Sequence, residues 1–453
     1  LPTTSAWEVM KLSLPVPVEK VFKGLESCGF CGYLVGGCVR DYLLDTPPTD
    51  FDMTTDATPD EIISCFTGHR VLKTGIRHGT VTIILDGMAI EITTHRTEGD
   101  YSDSRHPDAV KFTRNLVDDL ARRDFTINAM AYHPQKGLID RYGGAADIKN
   151  KIIRGVGDPH KRMAEDALRM LRGLRFAAVL GFDLDEETRT AIRQNCGQLA
   201  NISAERIATE LNKLICGKNA KTIILEETTV LGVVIPELLP AKNFDQQNPH
   251  HCYDVLTHTA VAMQTLAPVP RLRWAMLFHD LGKPQTFTRD AAGVGHFKGH
   301  SKCSEAIARE RLTALRMSNV TIDQVCALVK YHGTIIEEDK KSVKRWLNRL
   351  SEPLFRDLIA IKRGDNLAKA SKHHDRLESL KRLEALLDQV IAEKACFSLK
   401  DLAVNGHDLM GLGIKNGEEI GRILNLLLAG VIDEVYENEK DSLIKKAKEM
   451  RTC

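Results

Sequence analysis

The 453-residue chain contains no run of about 20 apolar residues, the length a helix needs to cross a bilayer, and no signal-peptide core near its start. The expectation is a soluble protein of the cytoplasm with no membrane partner. Charge of one sign is not in excess either: 62 Lys and Arg face 61 Asp and Glu, a net charge of +1. A nearly neutral chain has no global attraction for a polyanion, so any RNA or phosphate contact must come from local clusters. Cysteine is present but unorganised. Eleven are scattered along the chain, an odd number that suits reduced thiols better than a disulfide framework. Cys28 and Cys31 form a lone CxxC, and no second pair follows at a spacing that a structural zinc would use. Tandem repeats and low-complexity tracts are also missing.

At ~150 residues per domain the length allows about three domains. Residues 32–139 alternate strand-like runs (32–35, 50–55, 80–86, 88–94 and 109–112) with helical stretches. From about 158 onward nearly everything reads as helix, opened by Asp158-Pro159, an N-cap followed by proline at the first helical position. The fold class is α+β, an α/β head followed by a long helical remainder. The charged helical segment 370–396 reads as a link between modules.

Leu34-Val-Gly-Gly-Cys-Val-Arg-Asp41 reads strand, glycine turn, helix. Gly36 and Gly37 let backbone come close to a ligand, and Arg40 in the first helical turn offers an anion a planar fork of donors. Nine residues on, Asp50-Phe51-Asp52 places two carboxylates on one face of a strand and Phe51 with Met53 on the other. Two such carboxylates call for a cation, and hard oxygen ligands favour Mg²⁺ bound together with substrate phosphates. Glu91, among Met88, Ile90 and Ile92 but pointing away from them, supplies a third carboxylate for a two-metal cluster.

These motifs, with Thr74-Gly-Ile-Arg-His-Gly-Thr80, Glu91-Ile-Thr-Thr-His-Arg96, Arg122-Arg-Asp-Phe-Thr-Ile-Asn-Ala129, Glu165-Asp-Ala-Leu-Arg169 and Glu205-Arg-Ile-Ala-Thr-Glu210, resemble the bacterial CCA-adding enzymes. These are tRNA nucleotidyltransferases of the polymerase-beta superfamily. The resemblance is dense over 30–215 and looser beyond. Cys38 and Asp45 depart from the family's usual alanine and glycine, away from the proposed ligands. Poly(A) polymerases share most of the motifs, but the 74–81 stretch and the loop from Arg96 to Pro107 look like the tRNA enzymes.

The resemblance implies addition of the 3′-terminal CCA of tRNA from CTP and ATP, with Asp50, Asp52 and Glu91 as catalytic carboxylates and Mg²⁺ on Asp50 and Asp52. It further implies that Gly37, Arg40 and Arg123 hold nucleotide phosphates, and that Arg172 and Arg175 also contact the nucleotide. Asp166 and Arg169, three residues apart on one expected helix, would otherwise read as an ordinary ion pair. By resemblance they form a protein template: Asp166 accepts from the exocyclic amino group of the base and Arg169 donates to its ring edge. Cytosine and adenine share that donor–acceptor order, whereas uracil and guanine reverse it, so a wrong base leaves buried polar groups unpaired. Residues 151–175 carry seven Lys or Arg against three acids, a local excess suited to a triphosphate or RNA backbone.

His279-Asp280-Leu-Gly-Lys-Pro284 resembles the HD-domain phosphohydrolases, in which His258, His279, Asp280 and the distant Asp365 would bind one divalent metal. His300 and His332 belong to the same constellation of residues. Mixed His/Asp ligands suit Mn, Fe, Ni or Co, and such a metal activates water against a phosphate ester. The implied domains are a nucleotidyltransferase head (1–150), a helical neck that reads the base (151–240), an HD body (241–370) and a helical tail that binds tRNA (371–453). In that tail a helix from 399, glycine turns at Gly406 and Gly411, and a helix from Glu418 are expected. The rival readings are a poly(A) polymerase, an enzyme adding only CC or only A, and an HD phosphohydrolase with a retained RNA-binding head. The oligomeric state stays open.

Overall fold

Val81, Ile83 and Leu85 are buried in alternation with the half-buried Thr80, Thr82 and Ile84, and with Ile90 and Ile92, which flank Glu91, they form the buried face of a hairpin. Its two-residue turn is Asp86-Gly87, both at positive φ, the geometry that matches the twist of the flanking strands. In a computed structural model, which describes residues 12–99, 110–248, 252–369 and 376–451, this hairpin anchors the sheet of the first of two units, Leu1–Pro236 and Glu237–Cys453.

The strands of the first unit are β1 (Gly32–Val35), β2 (Phe51–Thr55), β3 (Arg70–Leu72), β4 (Thr80–Leu85), β5 (Met88–Thr94), β6 (Arg96–Glu98), β7 (Val110–Phe112), β8 (Met130–His133) and β9 (Gly137–Asp140). Seven form one sheet in the order β3-β4-β5-β2-β1-β8-β9, while β6 and β7 pair separately. Central β2 runs parallel to β5 and antiparallel to β1. The five expected strands are present where the chain is described. β3, β6, β8 and β9 carry no period-two signal, because β8 is buried along its whole length and the others are short or half-exposed. The 96–107 loop lies in its first residues on β6, and 100–107 fall outside the described residues.

Helix α1 (Val16–Ser27) precedes the sheet, and α2 (Gly37–Leu43), α3 (Pro59–Cys65), α4 (Leu116–Ala121) and α5 (Gly144–Asn150) connect it. Helices α6 (Pro159–Glu165), α7 (Leu168–Leu180), α8 (Glu186–Asn195) and α9 (Ala204–Ile215) follow. The expected N-cap holds: the Asp158 carboxylate accepts from the His160 and Lys161 amides. One expectation fails. Residues 162–176 do not form a continuous helix, since Asp166 takes extended angles (φ −136, ψ 105) and its carboxylate accepts from the Leu168 amide, ending α6 and opening α7. A short carboxylate that bonds its own backbone competes with helical hydrogen bonds, and here it wins.

The second unit is almost wholly helical among its described residues. Helices Val255–Gln264, Pro270–Phe278, His300–Ala314, Asn319–Tyr331, Lys340–Leu350 and Glu352–Leu367 share a core around Trp274, Phe278 and Phe355. A separate cluster built on Leu409, Ile423, Leu427 and Leu443 joins Gly406–Gly411, Gly417–Ile432 and Lys440–Arg451. No helix precedes Gly406 from 399: Asn405 caps the helix that starts at Gly406, with a reciprocal bond from Asp408.

Candidate functional site

The strand period does what Asp50-Phe51-Asp52 predicts. Phe51 and Met53 are buried, while Asp50 and Asp52 are exposed on the opposite face. The parallel register sets Asp52 directly beside Glu91, whose neighbours Ile90 and Ile92 are buried. Partial desolvation raises the Asp52 carboxyl above its ordinary value, and Glu91 and then Asp50 add to this against the opposing pull of Arg123. A carboxylate raised by two carboxylate neighbours marks a natural cation site. Among the described residues, the three do not form one of the groups of at least three ligand atoms that lie within 4.8 Å of one another. Such a set of hard oxygen ligands suits Mg²⁺, which keeps several waters and takes substrate phosphates as ligands.

Gly36 sits at φ +74, ψ −131, a conformation that only glycine adopts freely. A side chain there would meet Arg123 Nη1 at 3.3 Å, and one on Gly37 would meet Arg40 Nη2 at 3.6 Å. The bare turn is thus flanked by both guanidinium groups. Arg40 donates to Asp41 and to Asn128 Oδ1 (2.9 Å), and Arg123 to Asp119 (3.2 Å), while Arg123 Nε is buried with no hydrogen-bond partner.

The other arginines form one continuous network. Asn128 Nδ2 donates to Asp124 Oδ1, and Asp124 Oδ2 accepts from Arg172 Nε and Nη2 at 2.8 and 2.6 Å. Burial opposes ionisation of Asp124, but Arg172 and Arg169 outweigh it and hold the carboxyl at about 2. Arg175 donates to Glu210 at 2.7 Å. The guanidinium carbons of Arg40, Arg172 and Arg175 lie 5.2, 5.6 and 3.7 Å from the centre of the Phe176 ring, so one aromatic face gathers arginines of both the glycine turn and α7.

Asp166 and Arg169 are not paired with each other. Asp166 Oδ2 accepts from Arg206 Nη2 at 2.7 Å, and Arg169 donates to Glu165 (2.7 Å) and to the Arg162 and Arg122 carbonyls. Sequence reasoning assigned no role to Arg206, Glu165, Asp124, Asn128 or Asp119. All stand inside the quoted motifs or next to them; the Glu165–Arg169 and Asp119–Arg122/Arg123 pairs have helical i,i+3 or i,i+4 spacing, whereas the partners of Arg206, Asp124 and Asn128 are set by tertiary contact.

The second unit brings His258, His279, Asp280 and Asp365 together, with one ligand atom from each inside a 4.8 Å cluster. His258 Nε2 lies 3.0 Å from Asp365 Oδ1 and 3.7 Å from Asp280 Oδ2, and His279 Nε2 lies 3.8 Å from Asp365 Oδ1 and 3.2 Å from Asp280 Oδ2. His279 Nδ1 faces the Met276 carbonyl at 2.7 Å, which points its Nε2 at the carboxylates, where it has no well-formed hydrogen bond. Burial disfavours a charged His279, yet Asp280 and Asp365 hold it up at about 9; burial and His279 push His332 down to about 3. Gly364 makes the convergence possible. A side chain there would meet Thr265 Oγ1 at 2.9 Å, Met276 Cε at 3.0 Å and the Ala262 carbonyl oxygen at 3.2 Å, so glycine lets the Asp365 helix approach the His258 helix without displacing them.

Three family models match this chain: the "Poly A polymerase head domain" over residues 32–154, the "Probable RNA and SrmB- binding site of polymerase A" over 181–242, and a tRNA nucleotidyltransferase domain 2 over 294–447. The CCA-adding enzyme of Lactobacillus helveticus is 34% identical over 435 residues, 94% of either chain. That of Anoxybacillus flavithermus is 35% identical over 429 residues, 93% of this chain and 94% of its own. Among solved structures, the Bacillus stearothermophilus CCA-adding enzyme in complex with CTP superposes with a TM-score of 0.70 at 27% identity, covering 97% of this chain and 98% of that one. The Thermotoga maritima CCA-adding enzyme complexed with tRNA shares the fold, with a TM-score of 0.55 at 20% identity and 96% coverage of each. A nucleotidyltransferase head and near full-length identity above 30% agree: the chain belongs to the CCA-adding enzymes, the tRNA nucleotidyltransferases that build the 3′-terminal CCA.

Proposed function

We propose that the first unit completes the full CCA end, two cytidylates and one adenylate, on tRNA with CTP and ATP as substrates. The observation that carries this reading is the in-register pairing of Asp52 with Glu91, with the Gly36-Gly37 turn and its two arginines close by. Mg²⁺ on Asp50 and Asp52, with Glu91 as the third carboxylate, would supply the charge that activates the terminal ribose 3′-hydroxyl and steadies the leaving pyrophosphate. Arg40 and Arg123, beside a turn that backbone can approach closely, orient the triphosphate, so the hydroxyl meets the α-phosphate in line. Catalysis of this kind is positioning and charge stabilisation. Asp166 and Arg169 select the base, with Arg172 and Arg175 placing the nucleotide. For that, Asp166 exchanges Arg206, and Arg169 exchanges Glu165, for the base edge.

By this reading, residues 1–150 are the catalytic head, 151–240 the neck and 371–453 a tRNA-holding tail. A test supplies purified protein with Mg²⁺ and a tRNA lacking its last three nucleotides, gives each nucleotide singly and then CTP with ATP, and resolves the products on a gel. Two additions with CTP and a third once ATP joins are expected, and Asp52→Ala lowers the rate at least ~10²–10³-fold. A ladder of A on any RNA end means a poly(A) polymerase, and one kind of extension alone means a split enzyme.

A second activity is favoured by the buried cluster of the second unit. Residues 241–370 read as an HD body in which His258, His279, Asp280 and Asp365 hold a transition metal (Mn, Ni, Co or Fe). Such a metal supplies an activated water for phosphate-ester hydrolysis. Asp52→Ala with phosphatase activity preserved separates the two sites.

A further inference from the structure

Phe176 is a buried residue of α7 with three guanidinium groups about its ring. Arg175 lies over it at 3.7 Å from the centre, with Arg40 at 5.2 Å and Arg172 at 5.6 Å. Each arginine also meets a carboxylate: Arg40 is 2.7 Å from Asp41, Arg172 2.6 Å from Asp124, and Arg175 2.7 Å from Glu210. Those acids stand on α2, on the segment after α4 and on α9, so they balance the charge but draw the cations in different directions. A polar chain joins Arg40 to Arg172 through Asn128 and Asp124, and the ring is the contact that Arg40, Arg172 and Arg175 all share. The ring itself is held. Phe125, next to Asp124, meets it edge to face with centroids 5.8 Å apart and planes at 78°. Gly173, earlier on α7, keeps Phe125 close, since a Cβ there would stand 3.0 Å from Phe125 Cζ.

Like charges repel across so short a span, and an apolar side chain in their midst would merely fill the space. An aromatic ring does more, because its quadrupole places negative charge on its faces and attracts a guanidinium, most strongly where water is excluded. We infer that Phe176 is a positioning residue for nucleotide addition: its π-electrons, rather than its bulk, hold the Arg40 guanidinium at the glycine turn in register with Arg172 and Arg175. The inference rests on the reading of Arg40 as a triphosphate ligand given above. At 3% exposure Phe176 offers a substrate no surface, so it acts through the arginines. The triphosphate is common to CTP and ATP, whereas the base edge is the part assigned to Asp166 and Arg169. Weakening the attraction of the ring therefore raises KM for both nucleotides in parallel and leaves the choice of base as it was.

The test keeps the shape of the side chain and changes its electrons. Phenylalanines carrying one, two or three ring fluorines replace Phe176 in the full chain, since fluorine withdraws charge from the ring face at little cost in volume. KM and kcat are measured for CTP on a tRNA lacking its last three nucleotides and for ATP on a tRNA lacking only the last. KM is expected to rise stepwise with fluorine number for both nucleotides, about tenfold at three, with a smaller fall in kcat and an unchanged preference for CTP over UTP. Melting temperatures stay level along the series. A melting temperature that falls in step with the rise in KM marks a structural role and overturns the inference. A KM that stays flat along the series, while Arg40→Ala raises it, overturns the role of the ring and leaves that of Arg40 standing. A KM unmoved by Arg40→Ala overturns the triphosphate reading, and this inference with it. Repeated in the Arg40→Ala background, the series is expected to be flat; a slope that persists there means the ring does not act through Arg40, which also overturns the inference.

Discussion

Asp166 is an extended residue between two helices, and its carboxylate does two jobs at once: Oδ1 accepts from the Leu168 amide and Oδ2 from Arg206. The first bond fixes the side chain, and the second occupies the oxygen that would meet a base. In the proposed reading of Asp166, Arg206 is a positioning residue, with one buried nitrogen that has no hydrogen-bond partner. In Arg206→Ala, discrimination of CTP over UTP falls by about 1–3 kcal/mol, a tenfold to hundredfold change, because the acceptor loses its fixed direction. Competition assays with paired nucleotides read this, and an unchanged ratio with lower stability would assign Arg206 a structural role only. The Asp166–Arg169 spacing drew attention to both residues, but their resting partners are Arg206 and Glu165, and only the second stands at a helical spacing. Those partners are 40 and 4 residues distant, one far beyond any local period.

Elements carry charge as well as shape. The segment after α4 is fastened to α7 by the buried Asp124–Arg172 pair. Asp124 titrates at about 2 in the folded protein against a usual 3.8. A lowered carboxyl contributes stability that is complete above the unfolded value and is lost as pH falls through the folded one. The contribution is thus present at pH 5 and gone near pH 2, and amounts to about 2 kcal/mol. Asp124→Asn lowers the unfolding free energy at neutral pH and flattens its decline between about pH 4 and 2, as denaturant titrations across that range will show. In the second unit, the approach of two helices depends on one missing side chain. Gly364→Val drives atoms into Thr265 Oγ1, Met276 Cε and the Ala262 carbonyl, which predicts a loss of about 1–3 kcal/mol and weaker manganese binding. Calorimetry checks the first and dialysis the second. Elements with a clean period, such as β2, β4 and β5, were legible in advance; fully buried β8 and the break at Asp166 were not. The first shows no alternation, and the second turns on a side chain bonding its own backbone.

On the scale of the whole molecule, two chemical centres lie in separate units, one built from exposed carboxylates on a sheet and the other from buried imidazoles among helices. They should respond differently to metals. A ligand that binds only the folded state stabilises by RT ln(1 + [L]/Kd), about 2.7 kcal/mol at a hundredfold excess over Kd. Manganese therefore raises the melting temperature, and His258→Gln/His279→Gln removes most of that rise. Nucleotide addition, which the proposed function assigns to Asp50, Asp52 and Glu91, keeps its requirement for Mg²⁺ in the same variant. A melting rise that survives both substitutions would place the stabilising ion elsewhere.

Beside the resemblance of its motifs to the CCA-adding enzymes, the residue order alone determined which side chains face together on β2 and β5 and that a helix begins at Pro159, capped by Asp158. Those properties depend on periods of two and 3.6 residues and on caps, all of which are local. Only the tertiary structure decided that Asp52 stands beside Glu91, that Arg40, Arg172 and Arg175 share the Phe176 ring, and that Asp280 turns its two oxygens to two pairs of histidines. The reason is physical: each of those contacts joins residues separated by tens of positions or more, or depends on the direction of a single side chain. They come from packing a sheet and a set of helices around common cores, and local sequence does not encode them.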